Sequence, residues 1–410
     1  MSEWERVRFD QLASSERWAF SIGPFGSKVT TSDYCEDGVP FIRGVNLSQG
    51  VFLDDDFVFI SEEKAKEIAS ALVKPGDIVF TRKGTVGQVS MIPRAPRYEK
   101  YAISGSQVKA RLDERRAVAE FYYYWFRSPA GQHSILAHAV TTGVPSLANS
   151  LQSIRGLVVP KPPLSEQAAV AAVLGVLDDK IAVNERIAAT SRELALALFI
   201  QAIAEDADME VGVESVACAL TRGIAPKYSE SPDDLLVLNQ KCIRDGRVSL
   251  APSRRTQRER VKAPKLLMKN DVLVNSTGVG TLGRVARWTL DEAATVDSHI
   301  TIVRFDEAQV DPVCAGFAIL RAQPEIEEMG EGSTGQTELR RTQLGELAIT
   351  LPSKERQQAL RPKLDALEAR ADQALRESQA LATLRDTLLP QLMSGRLRVK
   401  DAEKIVEDAT

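Results

Sequence analysis

Lys74-Pro-Gly-Asp-Ile-Val-Phe80 and Met268-Lys-Asn-Asp-Val-Leu-Val274 are two versions of one phrase, a turn followed by an apolar strand, about 190 residues apart. Each runs on into a glycine loop, Gly84-Thr-Val-Gly87 in the first and Gly280-Thr-Leu-Gly283 in the second. Val140-Thr-Thr-Gly143 with Leu151 then answers to Ser333-Thr-Gly335 with Leu344. An apolar strand and a proline lead to a helix start in both copies. They are Leu157-Val-Val-Pro160 before Pro162-Pro163-Leu164-Ser165-Glu166, and Leu347-Ala-Ile-Thr-Leu-Pro352 before Ser353-Lys354-Glu355. Four landmarks kept in order, at a period too long for a solenoid, mark a duplicated domain.

Each copy has two parts. Residues 1–160 and about 206–352 read as mixed α/β domains, with short β-rich runs (Val39 to Val45, Asp77 to Phe80, Asp271 to Val274, Ile300 to Arg304) between glycine turns. A long helix follows each. The first starts at Ser165, an N-cap after two prolines, with the stripe Val170, Leu174, Leu177, Ile181, Asn184, Ile187, Leu194 and Leu198. The second starts at Ser353 with Leu360, Leu364, Leu367, Ala371, Ala374, Ser378, Leu381, Leu384 and Leu388. It ends at Ser394-Gly395, before a strand-like Arg396-Leu-Arg-Val399. Steps of three and four residues are those of a coiled-coil seam. Helices of roughly 55–60 Å cannot hide such stripes on domains of about 15 Å radius, so their natural partners are each other. A two-fold arrangement runs them antiparallel with the domains at opposite ends. Asn184 is either a register-setting seam residue or a rim position facing water. The expected fold class is α+β: two mixed α/β domains separated by two long antiparallel coiled-coil helices, by internal duplication.

Composition is that of a folded soluble chain, with 44% hydrophobic and 26% charged residues. No apolar run approaches the eighteen or so residues of a membrane helix, and Met1-Ser2-Glu3-Trp4-Glu5-Arg6 does not read as a signal peptide, so no membrane partner is expected. Cys35, Cys218, Cys242 and Cys314 are scattered without a C-x-x-C pair, which fits the cytoplasm and opposes a disulfide framework or a zinc site. His133 and His138 are five apart, and a helix does not place them on one face. No metal site is expected.

Net charge is −4, yet its distribution is uneven. Between Arg82 and Arg116 nine basic residues face three acidic ones, and between Asn239 and Asn270 ten face two. Each run is either a solvated face or a cationic surface. Beside them lie loops rich in base-reading side-chain types: Arg43-Gly-Val-Asn46, Arg82-Lys83, Thr85, Thr141-Thr142-Gly143, Asn239-Gln240-Lys241, Asn275-Ser-Thr277, Thr281 and Thr334-Gly-Gln336. Arg suits guanine, Asn or Gln suits adenine, and Ser or Thr serves either. Singly each is an ordinary turn or cap residue. At matching places in two repeats, beside basic clusters, they favour DNA.

Catalytic motifs fail on context. Gly278-Val-Gly280-Thr-Leu-Gly283 matches G-x-G-x-x-G, but Arg284-Val-Ala-Arg-Trp288 after it reads as a strand where a dinucleotide site needs a helix. The first glycine loop also runs into a strand, Gln88-Val-Ser-Met-Ile92. Glu62-Glu63-Lys64 holds an E-x-K within a Lys/Glu-rich helical stretch, an ordinary solvated face. No catalytic residue is assigned.

Pro162-Pro163-Leu164-Ser165-Glu166-Gln167 leading to Leu177-Asp178-Asp179-Lys180-Ile181 with Asn184, the Lys74 to Gly87 segment, and Leu388-Leu389-Pro390-Gln391-Leu392-Met393-Ser394-Gly395 together resemble the specificity subunit of Type I restriction–modification systems. The second helix start departs, with Glu355-Arg356-Gln357 for Glu-Gln. The resemblance implies target-recognition domains at 1–160 and 206–352, conserved spacer helices at 161–205 and 353–400, and a tail at 401–410. It implies a non-catalytic subunit reading two halves of a split target in double-stranded DNA. Two methyltransferase subunits would dock on the helices, and restriction subunits would join them. S-adenosylmethionine, ATP and magnesium would belong to those partners. Two other classes stay open: a coiled-coil scaffold without specific DNA binding, and an enzyme using the glycine loop for a nucleotide.

Overall fold

Each copy of the repeat closes through its own ends. In the computed structural model, which describes residues 4–26, 28–141, 143–330 and 338–409, strand Arg6–Arg8 pairs antiparallel with Val158–Pro160. Met209–Gly212 pairs with Ala348–Leu351 in the same way. The chain divides into two compact units, 1–184 with 377–410, and 185–376.

In the first unit a four-stranded antiparallel sheet runs in the order Phe20–Ile22, Gln107–Ala110, Ile78–Thr81, Val89–Met91. A second sheet orders Tyr34–Cys35, Val58–Ile60, Val39–Ile42, Tyr101–Ile103 and Leu72–Val73, with one parallel pair, Phe41 opposite Ala102. Strand Ile78–Thr81 is wholly buried, its faces split between two cores. Ile78 and Phe80 meet the aromatic helix Ala119–Arg127, while Val79 joins Ile42, Val73 and Tyr101. That two-sided burial explains the unbroken apolar run in the sequence.

The second unit repeats this order except that, among the described residues, Leu72–Val73 has no counterpart: Ala217–Arg222, Ile300–Phe305, Val272–Asn275, Val285–Arg287 in one sheet, and Tyr228–Ser229, Arg254–Thr256, Leu235–Leu238, Ala294–Val296 in the other, again with one parallel pair. The polar fixings repeat too. Arg111 donates Nε and Nη2 to both oxygens of Asp77 at 2.8 and 2.6 Å, and Arg304 does the same to Asp271 at 2.7 and 2.6 Å. The conserved aspartate of the opening phrase is therefore one half of a buried bidentate pair. Gln167 accepts from Val118 N and donates to Pro162 O; Gln357 accepts from Asp311 N and donates to Pro352 O. This places Gln357 at the position of Gln167, five residues after its proline in both copies, with Arg356 where the first copy has Glu166.

The first long helix spans Leu164–Glu205 and the second Lys354–Met393. Ser165 lies inside the first turn rather than capping it. Ser353 does cap, its Oγ accepting from Arg356 N at 3.4 Å. In the first unit Asp178 pairs with Arg385 at 2.6 Å and Lys180 with Glu377 at 3.4 Å, while Ser378 Oγ donates to Ile181 O at 3.4 Å. Numbers fall on one helix as they rise on the other, so the segments are antiparallel. Leu174, Leu177, Leu381 and Leu388 are buried there and Ile181 partly so. In the second unit Arg192 meets Asp372 at 3.0 Å and Glu205 meets Arg356, with Leu364 buried, Leu367 partly buried and a layer of Ala188, Ala371 and Ala374. Asn184 is 3% exposed, which excludes the rim position.

Two expectations are corrected. Arg396–Val399 is not a strand: the helix ends near Gly395, and Val399–Ala409 forms another helix whose Ala402 and Val406 enter the first unit's core. The last residues are thus folded, not a tail. The first long helix also holds a window of mean hydropathy 1.4, long and apolar enough to cross a membrane by length and composition. Much of its stripe is nonetheless buried, Val170, Leu174 and Leu177 in one unit and Ala195 and Phe199 in the other, whereas Leu194, expected on the seam, is exposed.

Lys109 departs from the repeat. It opposes Val79 as Ile302 opposes Leu273, so the second copy carries isoleucine where the first buries a lysine, 2% exposed, with Nζ donating to Leu72 O. Burial, with Arg111 nearby, lowers its pKa to about 8. The folded value lies below the ordinary one, so the unfolded chain binds the extra proton between about pH 8 and 10.5, and stability rises with pH through that window. Below it the full cost, on the order of 3 kcal/mol, is present. Lys109→Met should therefore raise the denaturant midpoint at pH 7 and much less at pH 10. Equal gains at both pH values would show that the lysine charge carries no such cost.

Candidate nucleic-acid interface

In each copy the glycine loop leaves the end of a central strand, and three backbone bonds fix it in the same way. Arg82 N donates to Ser106 O, Leu147 N to Arg82 O, and Lys83 bridges to Ser146. In the second copy Ser276 N donates to His299 O, Leu339 N to Ser276 O, and Thr277 bridges to Glu338. The true counterparts are therefore Arg82 with Ser276 and Lys83 with Thr277. Gly84 (φ +90°) matches Gly278 (φ +104°), and Gly87 (φ +97°) matches Gly283 (φ +82°). These left-handed positions favour glycine. The second loop is two residues longer, so the pairing of Gly84 with Gly280 is corrected.

On the first unit this end gathers cations. Arg82 Nε donates to Gly105 O at 2.9 Å, and Arg43 follows the strand whose Ile42 O accepts from Ser104 N, so both arginines flank one turn. Burial without a neighbouring carboxylate pulls the Arg82 guanidinium below its usual pKa. Lys83, Thr85 and Thr141 are exposed on the same loops, Thr85 donating to Gln88 at 2.6 Å. The rest of the basic run is not a cationic face. Arg94 pairs with Glu114 and Glu120, Arg97 with Asp55, Lys100 with Glu62, Arg111 with Asp77 and Glu16, and Arg116 with Asp113.

On the second unit the end is polar rather than simply cationic. Gln240 Nε2 donates to Thr277 O and Oγ1, both at 2.6 Å, and Thr277 Oγ1 lies 2.8 Å from His299 Nδ1. Arg222 Nη2 donates to Glu338 at 2.9 Å and Leu339 O at 2.7 Å, and Nη1 to Ser298 O at 3.4 Å. His299 and Arg222 were not among the candidates. Their signal, a polar residue at a strand end beside the loop, exists only after the strands are paired. Lys241 is exposed.

Several candidates serve their own loops. Asn46 is 1% exposed, accepting from Arg43 N and donating to Asp55 O. Asn275 is 0% exposed and donates to Gln240 O and Thr281 O. Asn239 accepts from Lys241 N and donates to Pro252 O, and the Thr281 hydroxyl turns back to Thr277 O and Gly278 O. Loop formation, the ordinary use of Asn and Thr, takes these four. Thr142, Thr334 and Gln336 lie outside the described residues. Among the described residues no three His, Cys, Asp or Glu side chains gather as metal ligands.

Comparisons place this architecture. Residues 1–190 match the family described as the Type I restriction modification DNA specificity domain. The chain is 19% identical over 388 residues to a Methanocaldococcus jannaschii protein named "Putative type I restriction enzyme MjaX specificity subunit", covering 88% of each. Its fold is similar to the crystal structure of the Type I restriction–modification S subunit from M. genitalium, with a TM-score of 0.60, 16% identity, and 95% and 96% of the two chains covered. With the matched domain in the first half and a second copy of its frame in the second, the chain is similar to Type I restriction–modification specificity subunits.

Proposed function

We propose that the chain reads a bipartite sequence in double-stranded DNA, one half per module, and carries two methyltransferase subunits, with restriction subunits joining them, to that site. It supplies recognition and no chemistry of its own; S-adenosylmethionine, ATP and magnesium belong to the partners. Its setting is the cytoplasm, in defence against phage. The match of residues 1–190 to a DNA specificity domain supports DNA recognition, and one observation carries the finer reading. The same loop end is built twice on equivalent frames, and its side chains differ: Arg82 and Lys83 in one copy stand where Ser276 and Thr277 stand in the other. A duplicated frame with unlike tips suits two unlike half-sites. Arg43, Arg82, Lys83, Thr85 and Thr141 on one module, with Lys241, Gln240, Thr277 and His299 on the other, supply donors and acceptors for phosphates and base edges.

The test is an electrophoretic shift with duplex DNA, using the full chain together with its methyltransferase subunits. Lys83→Ala, as the loss of one phosphate contact, should weaken binding alike on all sequences and lower the salt slope by about one unit. Unchanged binding and slope would place the DNA away from the glycine loop.

A further inference from the structure

The second unit has a cleft of about 750 Å³ lined by Arg222, Lys265, Arg340 and Arg341 against Glu214 and Glu338. We propose that this cleft seats a backbone phosphate of the DNA strand whose bases lie over Gln240, Thr277 and His299. The inference rests on the DNA-binding reading above and adds an anchoring site to it.

The repeat shows that these cations are not needed for the fold. Arg222 opposes Thr301 as Ile22 opposes Val108, so the first copy puts isoleucine at the place of Arg222. Lys265, three residues before Met268, falls where the first copy has Ala71, three before Lys74. The segment leading into the short helix Arg341–Glu346 carries Arg340 and Arg341, whereas Ala148-Asn149 before Ser150–Gly156 carries no charge. A scaffold that closes without them has gained four positive charges at one spot.

Two of them, Lys265 and Arg222, are held largely by neutral groups. Lys265 Nζ is held by Thr221 Oγ1 and Arg222 O, both neutral. Arg222 shares Glu338, a largely exposed carboxylate. Burial first, and the charge of Arg341 as well, pulls both Lys265 and Arg222 below their ordinary values. An anion entering the cleft relieves this repulsion. Its chemistry is a phosphate rather than a whole nucleotide, because among the described residues no aromatic ring lines the cleft to stack a free base. Position selects DNA as the source. Glu338 on its rim is bridged to Thr277, and Arg222 holds Ser298 O beside His299, so the cleft is continuous with the polar loop end.

The experiment measures duplex binding against salt concentration for the full chain, Arg341→Ala, Arg341→Lys, and Arg115→Ala as an exposed cation of the other unit. Arg341→Ala should lower the slope by about one unit and affinity at 0.15 M salt by about fivefold, with Arg341→Lys close to the parent and Arg115→Ala unchanged. Calorimetry with inorganic phosphate supplies a second arm. Phosphate binding that Arg341→Ala removes, with an unchanged DNA slope, would mean a free-anion site and overturn the proposal. Binding by the parent with no slope change in any cleft variant, Lys265→Met included, would also overturn it while leaving DNA recognition intact. Failure of the parent to bind any duplex would overturn both.

Discussion

Glu368→Ala should destabilise the second unit by about 3–5 kcal/mol, far more than a change at a surface carboxylate. Arg287 lies on a sheet strand with its side chain 2% exposed, and its Nη1 sits 2.5 Å from Glu368 Oε2 on the second long helix. Nη2 donates to Asn270 at 2.9 Å, and Asp365, 45% exposed, stands at 3.8 Å. A guanidinium does not shed its proton, so removing Glu368 strands a charge in the core with only that distant carboxylate to help. The reverse deletion is milder. Burial holds Glu368 above the usual carboxylate range against the pull of Arg287, so Arg287→Met leaves a group that can take up a proton. The double change Arg287→Met with Glu368→Leu should recover most of the loss, because an apolar pair of similar size carries no desolvation cost. The first copy supports this, since Met91 occupies the position of Arg287, opposite Ile78 as Arg287 is opposite Val272. Trp288, next in sequence and 1% exposed, reports the unfolding by fluorescence. A Glu368→Ala midpoint within error of the parent, or a double variant no better than Glu368→Ala, would show that the pair does not couple sheet to helix.

The duplication was legible because it rests on residues the backbone demands. Asp77 and Asp271 cap the same turn, accepting from Lys74 N at 2.9 Å and Met268 N at 2.8 Å, and Gly76 and Asn270 take the same left-handed φ. Such positions tolerate few residue types, so they resemble each other in sequence. Their partners Arg111 and Arg304 lie over thirty residues away, and no local pattern links them. The seam was legible for the same reason: long helices must bury a stripe, and the stripe is periodic. The end of the chain was misread because Arg396-Leu-Arg-Val399 alternates like a strand, whereas the deciding contacts, Ala402 and Val406 one helical turn apart, come later and depend on a core assembled from distant segments.

The interface was legible only as a region. Asn46, Asn239 and Asn275 carry the groups that read adenine, yet the same groups complete loops, and sequence does not say which demand wins. Burial decides it. Charge runs misled for a related reason: Arg94, Arg97, Lys100 and Arg111 meet carboxylates drawn from Glu16 to Glu120, pairs that no window of sequence displays. Arg222 and His299 escaped notice because each acquires its place beside the loop only through strand pairing, Arg222 opposite Thr301 and His299 O accepting from Ser276 N.

Replacing residues 1–160 with the equivalent segment of a relative should change one half of the methylated target completely and leave the other half and the spacing unaltered. The cut suits the fold, because Arg6–Arg8 pairs with Val158–Pro160 and so closes the module on itself just before the helix begins. The module meets the helices of its own unit through a shared apolar core, in which Phe121 and Tyr122 join Val170, Leu174, Leu177 and Leu388, and through polar contacts: Trp4 Nε1 to Glu166 at 3.2 Å, Val118 N to Gln167 at 2.9 Å, and Tyr124 Oη to Asp178 at 2.8 Å, with Arg127 3.5 Å from the same aspartate. A graft that keeps Tyr124 and Arg127 for the half-buried Asp178, Trp4 for Glu166, and the apolar residues Phe121 and Tyr122 preserves the helix seat while every recognition loop is new. The glycine loop, the turn bearing Arg43 and the segment before Ser150 all lie inside the graft. None of the second module's loop residues does, so independent modules predict independent halves. Sequencing methylated sites in cells that carry the chimera reads both halves at once. If both halves changed together, or the spacing changed with them, the two modules would not read DNA separately, and the duplicated frame would need another purpose.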